Sequence, residues 1–245
     1  MSASRSVAAL ALCLAAGAAQ AAPSLSPVFT SDAAFSAWLA ARGVGLPANE
    51  GFVAQGRFGD RGGAATYEAG LHIPPSFTSA TPVGGGGQVA WGNGGFRSFT
   101  LSRTLETIRF QLGGYDRSWT DADADEVNGL GFRVGVNASG VPAGATTILR
   151  NLVLDGDAIG VTLTATAGAP QLLVVSGIEG DFVLTGEAAF SWASPTNPGN
   201  QQSRLAFQIK GIEGLPVEVP APAALGLFGL ALAGLLAARR RASRD

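Results

Sequence analysis

Residues 115–129 read YDRSWTDADADEVNG and hold the densest set of groups able to do chemistry. Asp116, Asp121, Asp123, Asp125 and Glu126 fall within eleven positions, with Arg117 the one base among them. Alternation of Asp121, Asp123 and Asp125 can aim three carboxylates at one point, which is what a hard cation such as Ca²⁺ requires. The spacing is not that of an EF-hand: Glu126 stands where that loop needs glycine, and Phe132 where it needs a bidentate glutamate. The competing reading, which the sequence favours, is a solvated loop between two strands. Asp121 and Asp125 are also the pair that a glycan-acting hydrolase would need at a fixed separation, the lowest-ranked of the readings.

Aromatic residues supply a second candidate chemistry. Trp91, Tyr115 and Trp119 lie in or beside stretches that read as loops, and Trp192 precedes another. Rings left exposed in such loops stack on the apolar faces of sugars, so Trp91, Trp119 and Tyr115 are the expected ligand-binding residues of a carbohydrate-binding module. Other chemistries are excluded. His72 is the single histidine, which rules out any catalytic or zinc site built on several histidines. Its neighbours Leu71 and Ile73, and the Pro74-Pro75 break, predict a partly buried residue at a strand end. No catalytic residue is expected, and the chain reads as a non-enzyme.

The elements that position these groups follow from periodicity. Ser31 or Asp32 can cap a short helix whose Phe35, Trp38 and Leu39 share a face, and Gly43 ends it. After that the period is two. Ile108, Phe110 and Leu112 alternate with polar residues, as do Leu130, Phe132, Val134 and Val136; Ile159, Val161, Leu163 and Ala165; and Leu205, Phe207 and Ile209. Weaker runs occupy 52–58, 96–101, 171–175 and 182–187. With 35 Gly and 13 Pro in 245 residues, turns are frequent. The fold class expected is all-β: an antiparallel β-sandwich, jelly-roll-like, with one short N-terminal helix and a C-terminal transmembrane helix. Gly84 to Gly87 and the 92–95 turn, on either side of Trp91, are expected to make a mobile segment.

Both ends read as targeting segments. Arg5, the apolar run 7–16 and Ala19-Gln20-Ala21 form a signal peptide over 1–21. Cys13, the one cysteine, lies within it, so the exported part has no thiol and no disulfide. Residues 22–213 form the extracellular β-sandwich and 214–222 a proline-containing stalk. Residues 22–218 carry ten Arg and one Lys against seventeen Asp or Glu, a net charge of −6, which argues against nucleic acid as a partner.

The C-terminus has three parts in order. Val219, Pro220, Ala221 and Pro222 form a stiff lead-in; residues 223–238 are sixteen Ala, Leu, Gly and Phe positions; Arg239, Arg240 and Arg241 close the run within a tail over 239–245. Sixteen residues make about 24 Å of helix, at the short limit for crossing a bilayer. The arginines would hold that end in the cytoplasm. This order resembles the PEP-CTERM sorting signal of Gram-negative bacteria, with Ala221 where that motif carries glutamate. The resemblance implies an exosortase-type transpeptidase as partner, an intermediate in the inner membrane, cleavage near the motif, and release to the cell surface or an extracellular matrix. The expected function is therefore that of a non-enzymatic exported surface or exopolysaccharide-associated protein. The alternative is the carbohydrate-binding β-sandwich, with or without calcium. No other cofactor is expected.

Overall fold

In strand β13 (Leu205–Glu213), Leu205, Phe207 and Ile209 are buried while Gln208 and Lys210 on the opposite side keep partial exposure. That period-two pattern recurs across the chain and sets two faces on each sheet. The computed structural model describes residues 23–58, 67–73, 82–120, 124, 126–138, 140–193 and 204–216. Its elements are β1 (Ser24–Leu25), α1 (Asp32–Ala40), β2 (Glu50–Phe58), β3 (Ala69–His72), β4 (Arg97–Thr104), β5 (Thr107–Leu112), β6 (Tyr115–Thr120), β7 (Val127–Val136), β8 (Thr146–Leu154), β9 (Asp157–Ala158), β10 (Leu163–Thr166), β11 (Gln171–Ser176), β12 (Phe182–Ser191) and β13.

The strands form two antiparallel sheets. The first runs β1-β11-β7-β13-β2-β3; the second runs β10-β8-β12-β4-β5-β6, with β9 paired to β8. The fold is thus mostly β and antiparallel, with one helix among the described residues, as the periodicity predicts. Among those residues no helix is long and apolar enough to cross a membrane, and the expected transmembrane segment 223–238 lies outside them. Residues Pro23–Pro216 make one compact unit.

Phe52, Phe132, Val134, Leu173 and Phe207 from the first sheet and Phe99, Phe110, Leu149, Leu184 and Phe190 from the second belong to one buried apolar cluster. Phe99 and Phe207 meet across the sheets with ring centroids 5.7 Å apart. Burial of such side chains is worth roughly 1.5–3 kcal/mol each before entropy is charged against it. Gly186 shows how tight the packing is. A methyl group there would lie 2.6 Å from Phe99 Cζ and 2.7 Å from Leu152 Cδ2. Gly186→Ala should therefore cost about 1–3 kcal/mol of unfolding free energy in urea titrations. A midpoint equal to wild type would show that the core can yield at this point.

A second, smaller core lies on the outer face of the first sheet. Phe35 and Leu39 of α1 pack on Leu172, Val174 and Ile212, with Phe29 and Trp38 at the margin. The helix starts where the Ser31 hydroxyl accepts from Ala34 N at 3.2 Å, the expected cap. Its apolar stripe is three residues, Phe35, Trp38 and Leu39, and its buried members pack on β11 and on Ile212 of β13.

Candidate functional site

Two of the three expected ligand-stacking rings are core residues. Trp91 is buried with its ring 4.4 Å from that of Phe190. Tyr115 is buried at the start of β6, where its hydroxyl accepts from Leu71 N of β3 at 2.9 Å and so links the two sheets. Burial raises the Tyr115 phenol above its usual pKa. The glycines around Trp91, expected to be mobile, are the reason these rings can go in. A methyl on Gly87 would lie 2.6 Å from Tyr115 Cδ2, and one on Gly86 2.0 Å from Tyr67 Cβ. The segment is held by Gly87 N to Ala69 O (2.9 Å), Val89 N to Glu68 Oε2 (3.1 Å) and Gly94 N to Phe190 O (2.8 Å). Trp119, on β6 opposite Ile108, keeps partial exposure. Trp192 stacks on Phe58 at 4.7 Å.

The acidic stretch is also shorter than expected as a loop. Residues 115–120 are a strand, because Tyr115 and Trp119 pair with Leu112 and Ile108 of β5. Asp116 is tied to Arg109 at 2.8 Å and Gln111 at 3.1 Å, and Arg109 holds its carboxyl below the usual range. Asp121, Asp123 and Asp125 lie outside the described residues, so their proposed calcium site has no geometry here. Beneath Ala124 sits Arg103, 1% exposed. Its guanidinium donates to Ala124 O at 3.1 Å, to Gly180 O at 2.7 Å and to Val127 O.

The outer face of the first sheet brings together polar residues that strand-by-strand reading leaves apart. Register pairs Arg133 of β7 with Gln208 of β13, and Gln208 with Gln55 of β2, in one row. Lys210 lies one outer position along β13. Asp32, at the first turn of α1, accepts from Arg133 Nε at 2.7 Å and Nη2 at 3.0 Å. That bidentate pair holds the Asp32 carboxyl below its usual range and raises the Arg133 guanidinium. Lys210 pairs with Glu50, which is 4% exposed. Beside these pairs opens a cavity of about 160 Å³ lined by Asp32, Ser36, Arg133, Gln208 and Lys210 on its polar side and by Phe35, Leu46 and Leu172 on its apolar side.

From Gln208 the hydrogen bonds continue inward. Gln208 Nε2 donates to Gln55 Oε1 at 3.2 Å, and Gln55 Nε2 donates to the Tyr67 hydroxyl at 3.0 Å and to His72 Nε2 at 2.7 Å. The Tyr67 hydroxyl lies 2.9 Å from the same Nε2. With Gln55 Oε1 accepting from Gln208, Gln55 Nε2 is the donor to His72 Nε2, which assigns the neutral tautomer with its proton on Nδ1. His72 ends β3 as expected, but it is fully rather than partly buried. Burial first, and then the Arg57 charge, lower its pKa to about 4.

Arg133, Gln208 and Lys210 are the polar members of alternations that the sequence shows plainly. Their convergence depends on register, which the sequence does not print.

The family model of the PEP-CTERM protein-sorting motif matches residues 218–241. The match takes in Val219, Pro220, Ala221, Pro222 and the arginines Arg239, Arg240 and Arg241, all outside the described residues. This signal implies an exported protein processed by exosortase at the membrane, by the pathway of Gram-negative bacteria. No curated protein matches the chain.

Proposed function

We propose that this chain is a non-enzymatic surface protein, carried out by its signal peptide and sorted by cleavage at its C-terminal signal to the outer surface or an exopolysaccharide matrix. The observation that carries the reading is the sorting-motif match over 218–241, at the opposite end from a signal-peptide sequence. The apolar run 223–238 halts in the inner membrane, and Arg239, Arg240 and Arg241 stay in the cytoplasm. That order puts Pro220 and Pro222, which can neither continue a helix nor complete a strand ladder, on the outer side of the inner membrane, within reach of the transpeptidase.

The exported part reads as a jelly-roll sandwich. Supporting this, β11-β7-β13-β2 and β10-β8-β12-β4 are four-strand runs within the six- and seven-stranded sheets, and the chain passes repeatedly between the two, with β1, β3, β5, β6 and β9 flanking them. The non-enzymatic reading draws on His72, whose Nε2 is engaged by two buried partners.

The test is mass spectrometry of both ends of the protein taken from its native host. Mature protein should begin near Ala22 and lack everything beyond about Pro222. A host without exosortase should retain the tail in its inner membrane. Replacing Arg239, Arg240 and Arg241 with Ser should reduce that retention. Surface-located native protein with residues 223–245 intact would reject sorting by cleavage and leave a permanent anchor.

A further inference from the structure

We propose that the cleft between α1 and the outer face of the first sheet binds one ring of a neutral sugar. The cavity is two-sided. Phe35, Leu46 and Leu172 give it an apolar wall, and Asp32, Ser36, Arg133, Gln208 and Lys210 a polar one. A pyranose has the same division, with C–H groups on its ring faces and hydroxyls around its rim.

The polar wall has capacity to spare. Arg133 uses Nε and Nη2 on Asp32, and Gln208 uses Nε2 on Gln55. Among the described residues Arg133 Nη1, Gln208 Oε1 and Ser36 Oγ make no hydrogen bond, and Lys210 Nζ, with three hydrogens, bonds to Glu50. Donors from Arg133 and Lys210 therefore stand beside acceptors from Asp32 and Gln208, with Ser36 able to act as either. Adjacent hydroxyls of a sugar, each both donor and acceptor, match that mixture.

Charge and size narrow the ligand. The four ionic groups at or under the cleft form two pairs, Asp32 with Arg133 and Glu50 with Lys210. A charged ligand would have to compete with one of those pairs, and Glu50 is too deeply buried to be left uncompensated. The cavity volume is about 160 Å³. It falls below the roughly 300–1,000 Å³ of pockets that enclose larger ligands. One ring enters and the next unit of a chain stays outside. A ligand of that size binds with a Kd of roughly millimolar order.

Ser36 provides the control. It is exposed on α1 and lines the cleft without holding the helix to the sheet. Ser36→Phe fills the entrance and leaves the apolar stripe intact. The experiment is an amide NMR titration of the full chain with glucose, galactose, mannose and glucuronate. Cellobiose and maltose added as further arms tell a free sugar from the end unit of a glycan. Saturable shifts at Ser36, Gly131 and Gln208 with at least one neutral sugar are expected, with the spectrum of Ser36→Phe unchanged elsewhere and its shifts lost. Gln208→Leu should weaken the binding at least about tenfold, the fold-change of a lost specific contact. Absence of saturable shifts with every neutral sugar overturns the proposal. So does binding of glucuronate alone, or binding that survives Ser36→Phe.

Discussion

Arg103→Met should destabilise the protein by about 3–5 kcal/mol, the cost of leaving three buried carbonyls without their donor. The side chain is 1% exposed at the end of β4. Its acceptors are main-chain carbonyls of Gly180, Ala124 and Val127. Ala124 lies in the β6–β7 connection, Val127 opens β7 and Gly180 lies in the β11–β12 connection, so one guanidinium ties these segments together. Methionine keeps much of the volume but donates nothing. The carbonyls then lose a buried charged donor, at about 1–3 kcal/mol for each that water cannot reach. Lysine should not rescue it fully, because a point charge lacks the planar fork that spans three acceptors. For a domain of this size the loss corresponds to a fall in Tm of roughly 6–20 °C. Arg109→Met is the matched control. Arg109 makes an exposed pair with Asp116 on the outer face of β5, and such pairs contribute about 0–1 kcal/mol. Equal melting curves for the two variants would show that the Arg103 network does not hold these connections.

The fold was legible where the alternation ran unbroken. Leu130 to Val136 and Leu205 to Ile209 keep one phase from end to end and fall in β7 and β13. β8 does not. Thr147 and Leu149 are buried before Asn151, and Leu152 and Leu154 after it. Asn151 takes φ 51° where two residues of β8 face Gly186 of β12, and the buried phase shifts by one. A strand whose period breaks midway has no period-two signal over its length, which is why residues 146–154 escape a reading by alternation. β6 escapes for another reason. It is an edge strand in which Tyr115 is buried and Trp119 half-buried, so four of its six side chains can be polar. Conversely, the expected strand from Ile159 begins only at Leu163.

Site residues divide the same way. The sorting motif is a linear signal, so Val219, Pro220, Pro222 and the arginines are readable in order without any fold. Trp91 and Tyr115 are not, because a glycine-rich flank permits two opposite outcomes. It can leave a ring exposed, or it can let main chain approach close enough to bury it. The 2.6 Å from a methyl on Gly87 to Tyr115 decides for burial. The cleft under α1 is a product of pairing. Arg133 and Gln208 are 75 positions apart, and only the β7–β13 register sets them side by side.

Acid should destabilise the protein in two separate windows, and His72 accounts for the first. Its folded pKa is lowered to about 4 from an ordinary 6.5. Above pH 6.5 the ring is neutral in both states and has no effect on stability. Between 6.5 and 4 the unfolded chain takes up a proton that the native state refuses, so stability falls as pH falls. Below 4 the native ring is protonated too and the loss stops growing. A difference of about 2.5 units is worth about 3 kcal/mol at most, a large part of the roughly 5–15 kcal/mol that holds a domain together. Asp32 acts lower. Its pKa is pulled down by the Arg133 hydrogen bonds, so its contribution is intact above 3.8 and is lost only as pH drops through its lowered value. Urea unfolding from pH 7.5 to 3 should therefore show a slope between 6.5 and 4 that disappears in His72→Gln, whose amide oxygen can still accept from Gln55 and Tyr67. As the chain has one histidine, its imidazole proton resonance can be followed without assignment, and its midpoint should lie near 4. A midpoint near 6.5, or a slope that persists in His72→Gln, would place the acid sensitivity elsewhere and remove the neutral His72 from the Gln208–Gln55–Tyr67 chain of hydrogen bonds.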